Sequence, residues 1–218
     1  MTISRRATLR LIAAGALGAA VPRLARADAL PLPLKFRIMR AGKQIGMHSV
    51  GFERAGGGLS VATAIDLEVK IAFISAFRFS HRGTERWESD RLVELKSTTD
   101  ENGERFEVSG KLGTDGLLVS APNGTAIAKG MTFTTNDLWN RNALQSKTLV
   151  DAQHGGVVGI VSQSEAAEEL LSGERRITAS RYRIISPFLA GTIWYDGAGR
   201  WRKSEFEIKG ERLEYRPV

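Results

Sequence analysis

Cysteine is missing from all 218 residues, and histidine occurs three times. Without thiols there is no disulfide staple, no thiolate nucleophile, no iron–sulfur cluster and no cysteine zinc site. Stability must therefore come from a packed core. His48, His81 and His154 stand far apart, none with a partner at metal-ligand spacing, so neither a metal nor any other cofactor is expected. No Gly-x-Ser-x-Gly elbow occurs, and no catalytic residue is assigned. Asp100-Glu101-Asn102-Gly103-Glu104 superficially resembles a calcium loop, but its glycine is fourth and Lys111 stands where a bidentate Glu belongs. An Asn-Gly hairpin turn explains it. No apolar run approaches the roughly 20 residues that cross a bilayer as a helix.

What is present starts at the N-terminus. Ser4-Arg5-Arg6-Ala7-Thr8-Leu9-Arg10 leads into the Ala- and Gly-rich apolar run Leu11–Val21, then into Ala25-Arg26-Ala27. Basic block, apolar core and small-x-small site form a bacterial export signal. The adjacent Arg5 and Arg6 make it the twin-arginine kind, with Ala25 and Ala27 marking cleavage. Residues 1–27 are thus expected to be a signal peptide that engages the twin-arginine export machinery. Residues 28–34 form a proline-containing linker, and residues 35–218 a single domain in the periplasm.

Charge changes once the leader is set aside. Five of the 31 basic residues (Arg5, Arg6, Arg10, Arg23, Arg26) and none of the 24 acidic ones fall in residues 1–27. That leaves 26 against 24, so the formal +7 shrinks to about +2. Nothing then points to nucleic acid or to an anionic membrane surface.

Beyond the linker the dominant period is two. Val61, Thr63, Ile65, Leu67, Val69 and Ile71 share one face of a strand, while Ala62, Ala64, Asp66, Glu68 and Lys70 share the other. Similar alternation runs through Phe36–Arg40, Ile45–Arg54, Ala76–His81, Thr84–Glu88, Leu92–Thr98, Phe106–Leu112 and Leu117–Ala121. It returns at Val157–Ser162, Ile177–Ile185, Gly191–Tyr195, Trp201–Ile208 and Leu213–Arg216. Asn102-Gly103, Asp115-Gly116, Asn123-Gly124 and Asp196-Gly197 supply hairpin turns between them. The pattern predicts an all-β antiparallel meander, a strongly curved sheet or incomplete barrel, wrapped around one short helix between Thr134 and Gln145. Residues 163–173 admit either a helix or a strand ending in a Ser172-Gly173 hairpin, and the surrounding β signals favour the hairpin.

Several phrases, taken in order, resemble an uncharacterised family of exported bacterial proteins, a domain of unknown function. They are Gly42…Ile45-Gly46…His48, Ile65-Asp66-Leu67-Glu68-Val69-Lys70, His81-Arg82…Glu85-Arg86-Trp87, Asp100–Glu104, Trp139-Asn140, Arg181-Tyr182-Arg183 and Trp194-Tyr195-Asp196. The resemblance implies an exported β-domain and assigns no activity.

Candidate chemistry is sparse. Phe77, Phe79, Trp87, Trp139, Asn140, Trp194 and Tyr195 are candidates to line an apolar pocket, because barrel mouths favour such sites. The expected function is a non-enzymatic binding module for an apolar or lipid-like ligand. An envelope accessory protein acting through protein contacts is the alternative. A hydrolase using Asp66 and Glu68 ranks last, since their face reads as the wet side of a sheet with Arg78, Arg82 and Arg86 as partners.

Overall fold

The computed structural model describes residues 30–71, 74–172 and 174–218. Hairpin follows hairpin from the start: β1 (Leu34–Arg40), β2 (Lys43–Ala55), β3 (Gly58–Ile71), β4 (Ile74–Glu88), β5 (Arg91–Glu101), β6 (Glu104–Leu112), β7 (Leu117–Ala121) and β8 (Gly124–Ala128). A second run follows residues 129–160: β11 (Val161–Ser172), β12 (Arg175–Ile185), β13 (Ala190–Tyr195), β14 (Trp201–Ile208) and β15 (Glu211–Pro217). The two runs join where β15 pairs antiparallel with β1, Phe36 opposite Pro217 and Ile38 opposite Tyr215. The result is one sheet of thirteen strands with β11 and β8 as its edges. The barrel is not closed.

Alternation decides which side chains go inside. In β4, Phe79, His81, Gly83, Glu85 and Trp87 are buried, while Arg82, Thr84, Arg86 and Glu88 are exposed. Inward residues from β1 to β8 and from β12 to β15 meet in one hydrophobic cluster that includes Phe36, Ile38, Leu95, Leu117, Ile193 and Trp201. A sheet that brings so many strands to one core must coil on itself. The expected all-β antiparallel meander is what forms, as one large sheet. Ala76–His81 and Thr84–Glu88 are one long strand rather than two, running through Gly83.

Residues 129–160 fill the interior between the edges. A small antiparallel pair, β9 (Thr148–Val150) with β10 (Val157–Gly159), lies against β8. Ser97 Oγ of β5 donates to the Ala152 carbonyl (2.6 Å), and Tyr195 Oη of β13 donates to the Leu138 carbonyl (2.7 Å). This plug contains no α-helix, which corrects the expectation of one. Asp137–Trp139 and Arg141–Gln145 are 3₁₀ turns, separated by an extended Asn140. The break is local. Thr134 Oγ1 accepts the Asn136 N–H and Asp137 Oδ2 accepts the Thr134 N–H, a reciprocal capping that starts the first turn. At Asn140 the backbone is extended and Oδ1 accepts the Asn142 N–H, which starts a second turn instead of continuing the first. Of the two alternatives for 163–173, residues 163–172 form the strand, in β11 paired antiparallel with β12.

Candidate functional site

The plug meets β4 through buried polar groups. Glu85 and Asp137 lie side by side, 1% and 0% exposed. Glu85 Oε1 accepts from Thr134 Oγ1 (2.6 Å) and Oε2 from Trp87 Nε1 (3.2 Å). Asp137 accepts from the Thr134 N–H (2.6 Å) and from Trp139 Nε1 (3.0 Å). Burial, followed by the charge of Glu85 and a hydrogen bond with it, holds the Asp137 carboxyl well above its ordinary range. The fold thereby favours the protonated form of Asp137.

One turn along β4, Asn136 Nδ2 donates to His81 Nε2 (3.1 Å), so the His81 Nδ1–H donates to Thr99 Oγ1 (2.9 Å). Burial lowers the His81 pKa to about 4, which keeps the ring neutral. Gly83 makes the docking possible, since a Cβ there would lie 2.8 Å from Asn136 Nδ2. His48 differs. It is buried beside Phe36, Trp201 and Tyr215, with both ring nitrogens unpartnered, and burial lowers its pKa to about 3. His154, in the plug, bonds Asp151 (3.4 Å) and lies 3.6 Å from Glu101. Among the described residues no group of three or more His, Asp or Glu could hold a metal ion.

Above the acid pair opens a cleft of about 940 Å³. Its wall is aromatic. Phe52 meets Trp139 edge to face with ring centroids 5.0 Å apart, Trp139 meets Trp87 at 6.0 Å, and Trp87 meets Phe133 at 5.6 Å. Leu34 and Leu59 extend the apolar surface, and Leu30, Pro31 and Leu32 run along one side. Arg54 at the end of β2, Arg141 in the second 3₁₀ turn and Arg200 in the turn between β13 and β14 line the same cleft. The two indoles of the wall are thus tied from behind by their N–H groups, one to each buried acid.

The cleft gathers Trp87, Trp139 and Asn140 of the residues expected to line a pocket. The other four lie elsewhere. Phe79 and Tyr195 are core residues, Tyr195 beneath the plug. Phe77 is half-buried under Lys209. Trp194 faces away from the core, with Nε1 on Glu168 and Lys203 over its ring at 4.6 Å. Asp66 and Glu68 form ion pairs on the outer face, with Arg82 (2.8 Å) and Arg78 (3.4 Å), and do not line this cleft. Arg5, Arg6, Ala25 and Ala27 lie outside the described residues. Glu85, Thr134, Asp137 and the arginines were missed as site residues. For Glu85 a signal existed, since it shares strand parity with His81 and Trp87.

Residues 36–218 match the family described as Domain of unknown function (DUF6134). The chain belongs to that family. This DUF6134 chain is all-β, built largely on one antiparallel sheet, and it has a solved structural neighbour. The crystal structure of a β-barrel-like protein of domain of unknown function DUF1849 from Brucella abortus is similar, with a TM-score of 0.64 at 14% identity. The likeness covers 87% of this chain and 96% of that one, and at this identity it concerns the fold. Comparison with curated protein sequences gave no match. Among the described residues of this DUF6134 protein, no helix is long and apolar enough to cross a membrane.

Proposed function

We propose that the protein is exported to the periplasm and binds an apolar or lipid-like ligand in the cleft walled by Trp87 and Trp139. One observation carries this reading: the aromatic wall is fixed before any ligand arrives. Each indole N–H is already spent on a buried carboxyl, so ordering the wall costs little on binding. The volume suits a small molecule, since ligand clefts run about 300–1,000 Å³. Export rests on the leader, with cleavage after Ala27 leaving Asp28 as the first residue.

Native mass spectrometry of gently extracted protein tests the binding. A co-purifying apolar mass that Trp139→Ala loses is the expected result. Protein that carries no such mass and takes up no apolar fluorescent probe rules the reading out. For export, cell fractionation of an Arg5→Lys/Arg6→Lys variant should show precursor retained in the cytoplasm. Normal release of that variant into the periplasm would count against the twin-arginine route.

An envelope accessory role is the second reading, favoured by the unpaired edge β11 with Val161 and Leu171 exposed. Cross-linking from Val161 in intact cells should then trap an envelope protein, and the absence of any adduct excludes it.

A further inference from the structure

Several surface arginines pair with carboxylates, Arg40 with Glu211, Arg82 with Asp66, Arg181 with Glu165 and Arg212 with Glu205. Others, such as Arg37, Arg91 and Arg183, stand exposed without an ion pair among the described residues. Two arginines without a carboxylate partner line the cleft. Arg141 opens the second 3₁₀ turn of the plug, and Arg200 sits in the turn between β13 and β14. Neither is ion-paired to a carboxylate among the described residues, though Arg200 donates to the Pro33 carbonyl (2.8 Å).

The nearby acids are directed elsewhere. Asp196 accepts the N–H groups of Ala198 and Arg200 within its own turn. Glu53 and Glu88 alternate with the cleft residues Phe52 and Trp87 and so face the other side of the sheet. Asp90 is the one acid among the cleft residues, against Arg54, Arg141 and Arg200. Arg141 and Arg200, two cations without carboxylate partners at one aromatic-walled mouth, leave positive charge there that an anion would neutralise.

We infer that the ligand of this cleft is an amphiphile, an apolar chain with an anionic head group, the chain lying on Trp87 and Trp139 and the head held by Arg141 and Arg200. The inference rests on the binding reading above and adds the charge of the ligand to it. Guanidinium groups are suited to the work because they give charge-assisted hydrogen bonds to carboxylate or phosphate oxygens without risk of deprotonation.

The test loads the full chain with N-phenyl-1-naphthylamine, an uncharged apolar reporter. The reporter is then displaced with ten-carbon probes below their micelle-forming concentrations: decanoate, decyl phosphate, decanol and decyltrimethylammonium. Displacement by an anionic probe at about one tenth the concentration needed for decanol is expected, with the cationic probe weakest. Comparing decanoate with decyl phosphate shows which head group is preferred. The anionic advantage should fall in 0.5 M salt. It should approach parity in Arg141→Gln/Arg200→Gln, with folding checked by thermal melting.

If that double variant does not fold, Arg141→Glu alone carries the test and should reverse the order of anionic and cationic probes. Equal displacement by all four probes overturns the charge inference and leaves the binding reading standing. Reporter uptake without displacement also overturns the inference. A protein that takes up no reporter overturns both.

Discussion

β3 and β4 are neighbours, yet their acids have opposite fates. Asp66 of β3 points outward, its side chain 56% exposed, and meets Arg82 at 2.8 Å. Glu85 of β4 points inward, 1% exposed, and meets Asp137 of the plug. Parity along the strand separates them, and the consequence is chemical. Water can solvate Asp66 whatever Arg82 does. Glu85 and Asp137 have no such recourse, so their oxygens must be met by protein donors. Two of those donors are the indoles of the cleft wall. The outer acids decorate the sheet, whereas the inner acids fix the shape of the one apolar opening described above and tie it to a proton.

The sharpest way to break this contrast is Asp137→Ala. It leaves the Thr134 N–H and the Trp139 Nε1–H buried without acceptors and removes the group that shares a site with Glu85. Each orphaned donor costs about 1–3 kcal/mol, so a loss of roughly 2–5 kcal/mol is expected from urea unfolding. Trp139 should also loosen, shifting the tryptophan emission to the red. A variant within about 0.5 kcal/mol of wild type, the scatter of ordinary surface changes, would show that the inner pair is no more structural than the outer one.

Much of the sheet was legible because period two is a local property. Val61–Ile71, Phe106–Leu112 and Trp201–Ile208 fall within the observed strands β3, β6 and β14. The pairing of β1 with β15 was not legible, since it joins residues at opposite ends of the chain. Nor was the plug, whose two 3₁₀ turns are split by the extended, capping Asn140 rather than by a residue of low helix propensity alone. Strand parity excludes part of the expected pocket. Trp194 and Tyr195 are consecutive in one strand and cannot both face inward, and the core took Tyr195. Glu85 was within reach by the same rule, two residues from Trp87. Its partner Asp137 lies on a connection that no strand pattern places.

Glu85→Gln sharpens the contrast more gently. A Gln can still accept from Trp87, and its amide can donate to Thr134 Oγ1 once that hydroxyl turns. The change shows in the pH dependence of stability. With its pKa raised in the fold, Asp137 holds a proton that the unfolded chain releases near pH 3.9, so its contribution is complete below that value. It is lost as pH rises through the folded pKa. His48 and His81 act in the opposite sense. Their folded pKa values of about 3 and 4 lie below the unfolded value near 6.5, so their contribution is complete above it and fades as pH falls toward 3–4. Removing the Glu85 charge lessens the rise in the Asp137 pKa and leaves the histidines untouched. Relative to wild type, the variant should therefore gain stability as pH increases from 4 to 8, read from urea midpoints. An offset constant across that range would mean that the pair carries no proton-linked strain.

The smallest effect belongs to the outer set. Asp66→Asn abolishes the charge that meets Arg82, but both groups are more than half exposed and Ser80 Oγ can still donate to the remaining amide oxygen. Arg82 keeps its hydrogen bonds to the carbonyls of Ile65 and His81, so it stays pinned to the sheet without the ion pair. Exposed pairs of this kind contribute about 0–1 kcal/mol, and the stability change should fall in that range with no change in tryptophan emission. A loss comparable to that of Asp137→Ala would mean that the outer ladder of Asp66, Arg82 and Ser80 holds β3 to β4 in register, and that the sheet is clamped from both faces rather than from within.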